Sequence, residues 1–237
     1  MSDLILEVKD LRGGYRPRVN ILNGVSISLH PGEILGVIGL NGSGKSTFGR
    51  ALVNLLPYRD GSVLFRGEDV TNLTTDKLAS SGLKMMMQGG RVFMNLSVWH
   101  NLELSAGKKA VQDFVEEYAD EIPLLKKPTK EIKSLWADKL SGGQRHQLAL
   151  AMTIATKPDC VILDEPSAGL SPASVNNMYA VLRDIHKSSG ITIVLIEQNI
   201  AKAIEFSDRS VLINQGRIVK EFTSRDVAEV EAEMFKI

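Results

Sequence analysis

The sequence predicts an α/β fold with a mainly parallel core sheet, and three observations carry that prediction. The apolar run Ile34-Leu35-Gly36-Val37-Ile38 leads straight into a glycine-rich loop and then a helical stretch. A second apolar run, Cys160-Val161-Ile162-Leu163, ends in two acids. Beyond it, helical and apolar stretches alternate again. Strands buried on both faces read as continuous apolar runs, and their alternation with helices is the pattern of a parallel sheet covered by helices.

In chain order, Leu4-Ile5-Leu6-Glu7-Val8 reads as a strand and residues 12–17 as a turn-rich connection. Val25-Ser26-Ile27-Ser28-Leu29 alternates apolar and polar residues, as a half-exposed strand does. Pro31-Gly32 is a turn before the first buried strand. The helix after the glycine-rich loop runs through Phe48, Leu52, Val53 and Leu56 and is closed by Pro57. Met85-Met86-Met87 reads as a buried strand. Residues 96–139 turn helical and more charged, as part of an inserted helical lobe. Apolar residues 191–196 form another strand, with a helix over residues 174–187 before it. Residues 211–213 and 217–219, joined by Gln215-Gly216, read as a terminal hairpin. The expected division is one domain, with a core of about 1–88 and 157–237 and a helical subdomain of about 89–156.

Bulk properties narrow the function classes. The 237 residues suffice for one well-packed domain with an inserted lobe. Lys+Arg and Asp+Glu both number 28, so net charge gives no reason to expect nucleic acid. Cys160, the single cysteine, sits among apolar neighbours and reads as a buried hydrophobe of a reducing compartment. No apolar run approaches the length of a membrane span, and Asp3, Glu7 and Lys9 argue against a secretory signal. The expectation is a cytoplasmic protein without direct membrane insertion. His30, His100, His146 and His186 show no metal-ligand spacing.

Gly39-Leu40-Asn41-Gly42-Ser43-Gly44-Lys45-Ser46 matches the phosphate-loop pattern, with a buried strand before it and a helix, beginning through Thr47, after it. Glycines let successive amides turn toward an anion, and the helix aims its positive end at the same place. Lys45 supplies charge for β- and γ-phosphates, and Ser46 a hydroxyl ligand for Mg²⁺. The motif is common to kinases, GTPases, helicases and transporters. Asp164 and Glu165 close an apolar strand where open α/β sheets bind ligands. Asp164 can hold Mg²⁺ through water, and Glu165 can orient and deprotonate an attacking water. Leu140-Ser141-Gly142-Gly143-Gln144 opens a helical run over residues 146–156. Ser141 can cap that helix while the glycines leave its first amides bare, a second anion site with no lysine.

With these ordered strings, and with Leu163-Asp164-Glu165-Pro166 and Ser167-Ala168-Gly169-Leu170-Ser171, the chain resembles the ABC ATPases over about residues 4–220. The resemblance implies a P-loop NTPase of ABC type, with an antiparallel β subdomain and an inserted helical subdomain beside the parallel sheet. It implies ATP and Mg²⁺. It places Tyr15 where the family stacks an aromatic on adenine, and Gln88 where the family senses Mg²⁺ and γ-phosphate. It implies head-to-tail pairing, in which ATP on Lys45, Ser46 and Gln88 of one copy meets Ser141, Gly142, Gly143 and Gln144 of the other. The loop of residues 167–171 would cross that interface, and Glu165 would drive hydrolysis.

A finer resemblance is to the ATPase subunits of branched-chain amino acid importers, a group that includes urea and amide importers. It rests on Gly89-Gly90-Arg91-Val92-Phe93, Leu96-Ser97-Val98, Asn101-Leu102 and Ile196-Glu197-Gln198-Asn199. Gln198 stands where most ABC ATPases carry a histidine. It can donate to a γ-phosphate but takes no proton, which leaves proton handling to Glu165 and water. Met87-Gln88, Trp99-His100 and Ala151-Met152-Thr153-Ile154 depart from the subfamily pattern. Residues 88–99 are where such ATPases receive a transmembrane permease. Phe93, Leu96 and Trp99 are either that contact or core residues of the helical lobe. Because the chain ends soon after the Gly216 hairpin, no sizeable C-terminal regulatory domain is expected; the helical lobe has no room for a long coiled coil, and one phosphate loop and one signature count against a fused second ATPase. Three readings follow. One is an importer ATPase, a homodimer or a heterodimer with a related ATPase, held through permease subunits at the inner face of the membrane. The others are a non-transport ABC ATPase, such as one serving iron–sulfur assembly, and a weakly hydrolysing regulatory protein.

Overall fold

The computed structural model describes residues 4–223 and 227–234; the first three residues of the charged N-terminal stretch lie outside them. The chain forms two compact units, residues 1–85, 159–164 and 191–237, and residues 86–158 and 165–190.

The first unit holds two sheets. An antiparallel sheet has the order β2-β1-β4-β5, from β1 (Leu6–Gly14), β2 (Leu22–Leu29), β4 (Tyr58–Phe65) and β5 (Glu68–Asp69). The second sheet contains β3 (Ile34–Ile38), β6 (Leu83–Met86), β7 (Cys160–Asp164), β8 (Thr192–Ile196), β9 (Arg209–Asn214) and β10 (Arg217–Phe222), in the order β10-β9-β3-β8-β7-β6. Strands β3, β7 and β8 are buried along their whole length, which accounts for their unbroken apolar runs. β3 pairs in parallel with β8 and β9, and β7 with β8. The antiparallel β9–β10 pair is the expected terminal hairpin.

Helix α1 (Lys45–Leu52) buries Phe48, Ala51 and Leu52 in one apolar core with Leu6, Val8 and Leu11 of the antiparallel sheet and Leu35, Ile162 and Val194 of the parallel one. The helix ends earlier than apolar spacing predicts. Asn54 adopts a left-handed φ of 62°. Leu55 N–H then reaches Arg50 O at 2.8 Å and Asn54 N–H reaches Ala51 O at 3.3 Å. These two bonds satisfy the last carbonyls and stop the helix, while Leu56 stays buried outside it. Helix α2 (Thr75–Ser81) precedes β6. On the other face, α8 (Ile200–Phe206) and α9 (Val227–Met234) cover Ile38 and Leu212 with Ala203, Ile204 and Val230.

The second unit is helical: α3 (Val98–Ala106), α4 (Val111–Glu117), α5 (Thr129–Ser134), α6 (Gly142–Ile154) and α7 (Pro172–Ser189), with short 3₁₀ turns at Pro123–Lys126 and Ala137–Lys139. α3 packs on α4, α5 and α6, and α6 on α7. Trp99 is buried, donates Nε1 to Glu103 at 2.9 Å and lies under the Lys133 ammonium, so it is core. Among the described residues, no helix is long and apolar enough to cross a membrane.

Candidate functional site

In the first unit, the glycine-rich loop joins β3 to α1. Gly44 caps α1 with φ 109°, a conformation side chains disfavour. Gly39 has φ 154°, and a Cβ there would lie 2.3 Å from Ile213 O and 2.7 Å from Ser43 Oγ. The loop therefore approaches β9 as only glycine allows. Ser43 is buried, and Asn41 is exposed at the tip. Lys45 is 4 % exposed, with Nζ donating to Gly39 O at 2.8 Å and Leu40 O at 3.0 Å. A buried ammonium held by its own loop's carbonyls, beside the bare amides of a helix start, fits a phosphate chain. Thr47 is buried in the first turn.

Ser46 donates Oγ to Asp164 Oδ1 at 2.8 Å, across from α1 to the end of β7. Asp164 is 1 % exposed. A hydroxyl and a buried carboxylate in direct contact, both oxygen donors, fit a hard divalent cation such as Mg²⁺. Tyr15 lies in the turn after β1, 41 % exposed, with its hydroxyl accepting a hydrogen bond from Arg50 of α1 at 2.8 Å. Gln198 is exposed just past β8, and its N–H donates to the buried carboxylate of Glu197 at 3.1 Å.

In the second unit, Gln88 donates Nε2 to Glu165 Oε2 at 2.6 Å. Glu165 is buried and carries φ 50°, a left-handed conformation unusual for a non-glycine residue. Strain of this kind concentrates where geometry is imposed for function. Ser141 caps α6: its Oγ accepts from Gln144 N–H at 3.3 Å, and Ser141 N–H donates to Gln144 Oε1 at 2.9 Å. This reciprocal capping box occupies both side chains and leaves the amides of Gly142 and Gly143 at the open end of the helix. Ser171 caps α7 with its hydroxyl alone, accepting from Ser174 N–H at 3.4 Å and donating to Ser174 Oγ at 3.0 Å.

Sequence reasoning missed three features. His146 is buried, and its Nδ1, 3.0 Å from Gly142 O, must donate because a carbonyl only accepts. Its ring packs on Gly90, where a Cβ would come within 2.9 Å of Nδ1. Asn101, fully buried, accepts from Phe93 N–H at 2.8 Å and donates to Phe93 O at 3.0 Å and Ser97 O at 2.9 Å. That clamp fixes the loop carrying Phe93 and Met94, both exposed. Leu96 of the same loop is half-buried, and Trp136, which pairs with Ser97 in an isolated bridge, is exposed. Asn101 entered the sequence reading only through a resemblance, without its clamping role, and nothing in the local sequence marks Trp136. The histidine, one position beyond Arg145 in the Ser141-capped helix, was visible but had no partner in sequence.

A family model described as ABC transporter matches residues 22–168. The chain is 32 % identical to the probable branched-chain amino acid transport ATP-binding protein LivF of Archaeoglobus fulgidus, over 96 % of this chain and 95 % of that one. It is 28 % identical to the lipopolysaccharide export system ATP-binding protein LptB of Haemophilus influenzae, over 96 % of this chain and 94 % of the relative. Among solved structures, cbiO1 from Clostridium perfringens, part of an ABC transporter complex, superposes with a TM-score of 0.82 at 24 % identity, covering 98 % of this chain and 92 % of that one.

Proposed function

Because this chain belongs to the ABC transporter family, we propose that it is the energy-coupling ATPase of an importer for branched-chain or other amino acids, working as one half of a nucleotide-closed dimer. ATP hydrolysis goes with the family. The importer role is supported by the name of the 32 % identical relative, which covers nearly the whole chain.

The observation that carries the dimer is the difference between two helix starts. α1 opens on Lys45 and Ser46, with the lysine buried in its own loop. α6 opens on two glycines, with Ser141 and Gln144 satisfying each other. The second start offers amides and a helix dipole but no lysine, and its neighbouring cation, the Arg145 guanidinium, donates to Leu140 O at 2.8 Å. It suits a phosphate chain already held by another copy's lysine.

The roles follow residue by residue. Gly39, Asn41, Gly42, Ser43, Gly44, Lys45 and Thr47 form the phosphate cradle, and Tyr15 stacks on adenine. Ser46 and Asp164 would hold Mg²⁺, which supplies charge neutralisation at the β- and γ-phosphates, and Gln88 holds the Glu165 carboxylate. Glu165 activates water, and Gln198 donates to the γ-phosphate. Ser141, Gly142, Gly143 and Gln144 meet the nucleotide of the partner copy. Phe93, Met94 and Trp136 form the surface that receives the permease, which keeps the ATPase at the cytoplasmic face of the membrane.

A second reading, an ATPase serving export, is favoured by the 28 % identical lipopolysaccharide export relative. Co-expression with a candidate importer permease and with a candidate export permease tests both. Co-purification of the permease, loss of that co-purification in Phe93→Glu, and ATP-dependent amino acid uptake in vesicles support the importer. Outward movement of a lipid-linked solute supports the exporter.

A further inference from the structure

Arg50 stands five residues into α1, on the helix whose first turn carries Lys45 and Ser46. Its backbone is pinned, because its carbonyl accepts the Leu55 N–H at 2.8 Å in the bond that ends the helix. Its Nε is buried without a hydrogen-bond partner, and its Nη1 donates to the Tyr15 hydroxyl at 2.8 Å. The guanidinium carbon lies 5.9 Å from the ring centroid. Hydrogen-bonded to the hydroxyl, and at the far limit of cation–π range, the cation grips the rim of the ring. The ring stays 41 % exposed.

Two soft features need such a grip. Tyr15 lies beyond the end of β1, in a turn, and an exposed aromatic there has free χ angles to lose on binding. A stacking platform binds well only if that entropy is lost beforehand. Arg50 is suited to the task because its planar fork is held at one end by burial and at the other by the phenol.

We infer that Arg50 is a positioning residue for the nucleobase: it locks the Tyr15 ring at a fixed place relative to the phosphate cradle, so that one helix sets the span from base to phosphates. This rests on the reading of Tyr15 as the adenine platform. Arg50 itself touches no nucleotide. Its effect passes through the Tyr15 hydroxyl, so it vanishes when that hydroxyl is removed. A ligand with phosphates but no base does not feel it.

The test is equilibrium binding of ATP and of inorganic tripolyphosphate to the full chain and to Tyr15→Ala, Tyr15→Phe, Arg50→Met, Arg50→Lys and the Tyr15→Phe/Arg50→Met pair. Loss of one side-chain hydrogen bond predicts ATP affinity about threefold to tenfold weaker in Tyr15→Phe and in Arg50→Met, with the pair no weaker than either single change. Arg50→Lys, which can still donate to the phenol, recovers part of the loss. Tripolyphosphate affinity stays unchanged throughout. Equal weakening of ATP and tripolyphosphate in Arg50→Met overturns the inference, since Arg50 would then act on the phosphate helix. Additive losses in the pair overturn it too. If Tyr15→Ala weakens ATP while Arg50→Met does not, the platform stands and the positioning role falls. If Tyr15→Ala leaves ATP affinity untouched, the platform reading itself fails.

Discussion

Gln88 donates its side-chain amide to the Glu165 carboxylate at 2.6 Å, and Glu165 sits at φ 50° at the end of its strand. The carboxylate proposed to activate water is therefore held from two sides, by an imposed backbone conformation and by the Gln88 amide. General-base catalysis depends on that aim. Gln88→Ala should lower the ATP turnover number by about tenfold to a hundredfold, a part of what general-base catalysis contributes. Glu165→Gln should cost more, roughly a hundredfold to ten-thousandfold. Steady-state hydrolysis at saturating ATP checks both, and a Gln88→Ala enzyme with undiminished turnover would show the contact to be idle.

The Lys45 ammonium is buried against the carbonyls of Gly39 and Leu40. Those carbonyls prepay its desolvation, and a phosphate chain can take their place. Lys45→Ala removes the only cation of the loop and should weaken ATP binding and abolish measurable turnover. Calorimetric titration with ATP reads the first effect and phosphate release the second.

Ser141 and Gln144 cap each other. Ser141→Ala should cost about 1 kcal/mol of stability, as helix caps do. Gln144→Glu keeps the capping geometry and should leave stability near its starting value. The added charge beside the amides of Gly142 and Gly143 should nevertheless oppose a phosphate approaching from a partner copy. Denaturant unfolding and hydrolysis measured side by side separate the two effects.

Cys160 is fully buried, and burial pushes its thiol up to about 12. Thiol reagents should therefore fail to label the folded protein near neutral pH and react once it unfolds. The folded-state pKa lies above the unfolded one, so between about 9 and 12 the unfolded chain has released the thiol proton and the folded chain has not. Stability should fall with rising pH across that window, and the fall should be shallower in Cys160→Ala. Unfolding midpoints at a series of pH values test the sign.

Much of this was legible in the sequence, for identifiable reasons. β3, β7 and β8 are buried throughout, so their apolar runs announce them. The phosphate loop and the α6 cap are local, and each depends on residues within a few positions. β4 was not foreseen: its first residues, Tyr58 to Gly61, are polar or exposed, and pairing with β1 makes them a strand. The end of α1 was overestimated because Leu56 is buried without being helical, although Asn54 carried the stop signal. The Phe93-Leu96-Trp99 group divides: Trp99 is core, Leu96 half-buried and Phe93 exposed. Spacing alone could not separate them, since the clamp by Asn101 decides which way the loop faces. The Tyr15–Arg50 bond joins residues 35 positions apart, and no local pattern records it.

Pairing of two copies around nucleotide is read from the mass of the Glu165→Gln variant. In sedimentation with saturating ATP and Mg²⁺, where hydrolysis no longer opens the pair, a nucleotide-closed dimer has twice the mass of one chain and returns to a single copy when nucleotide is withdrawn. A variant that binds ATP and keeps the mass of one chain at saturation would contradict it.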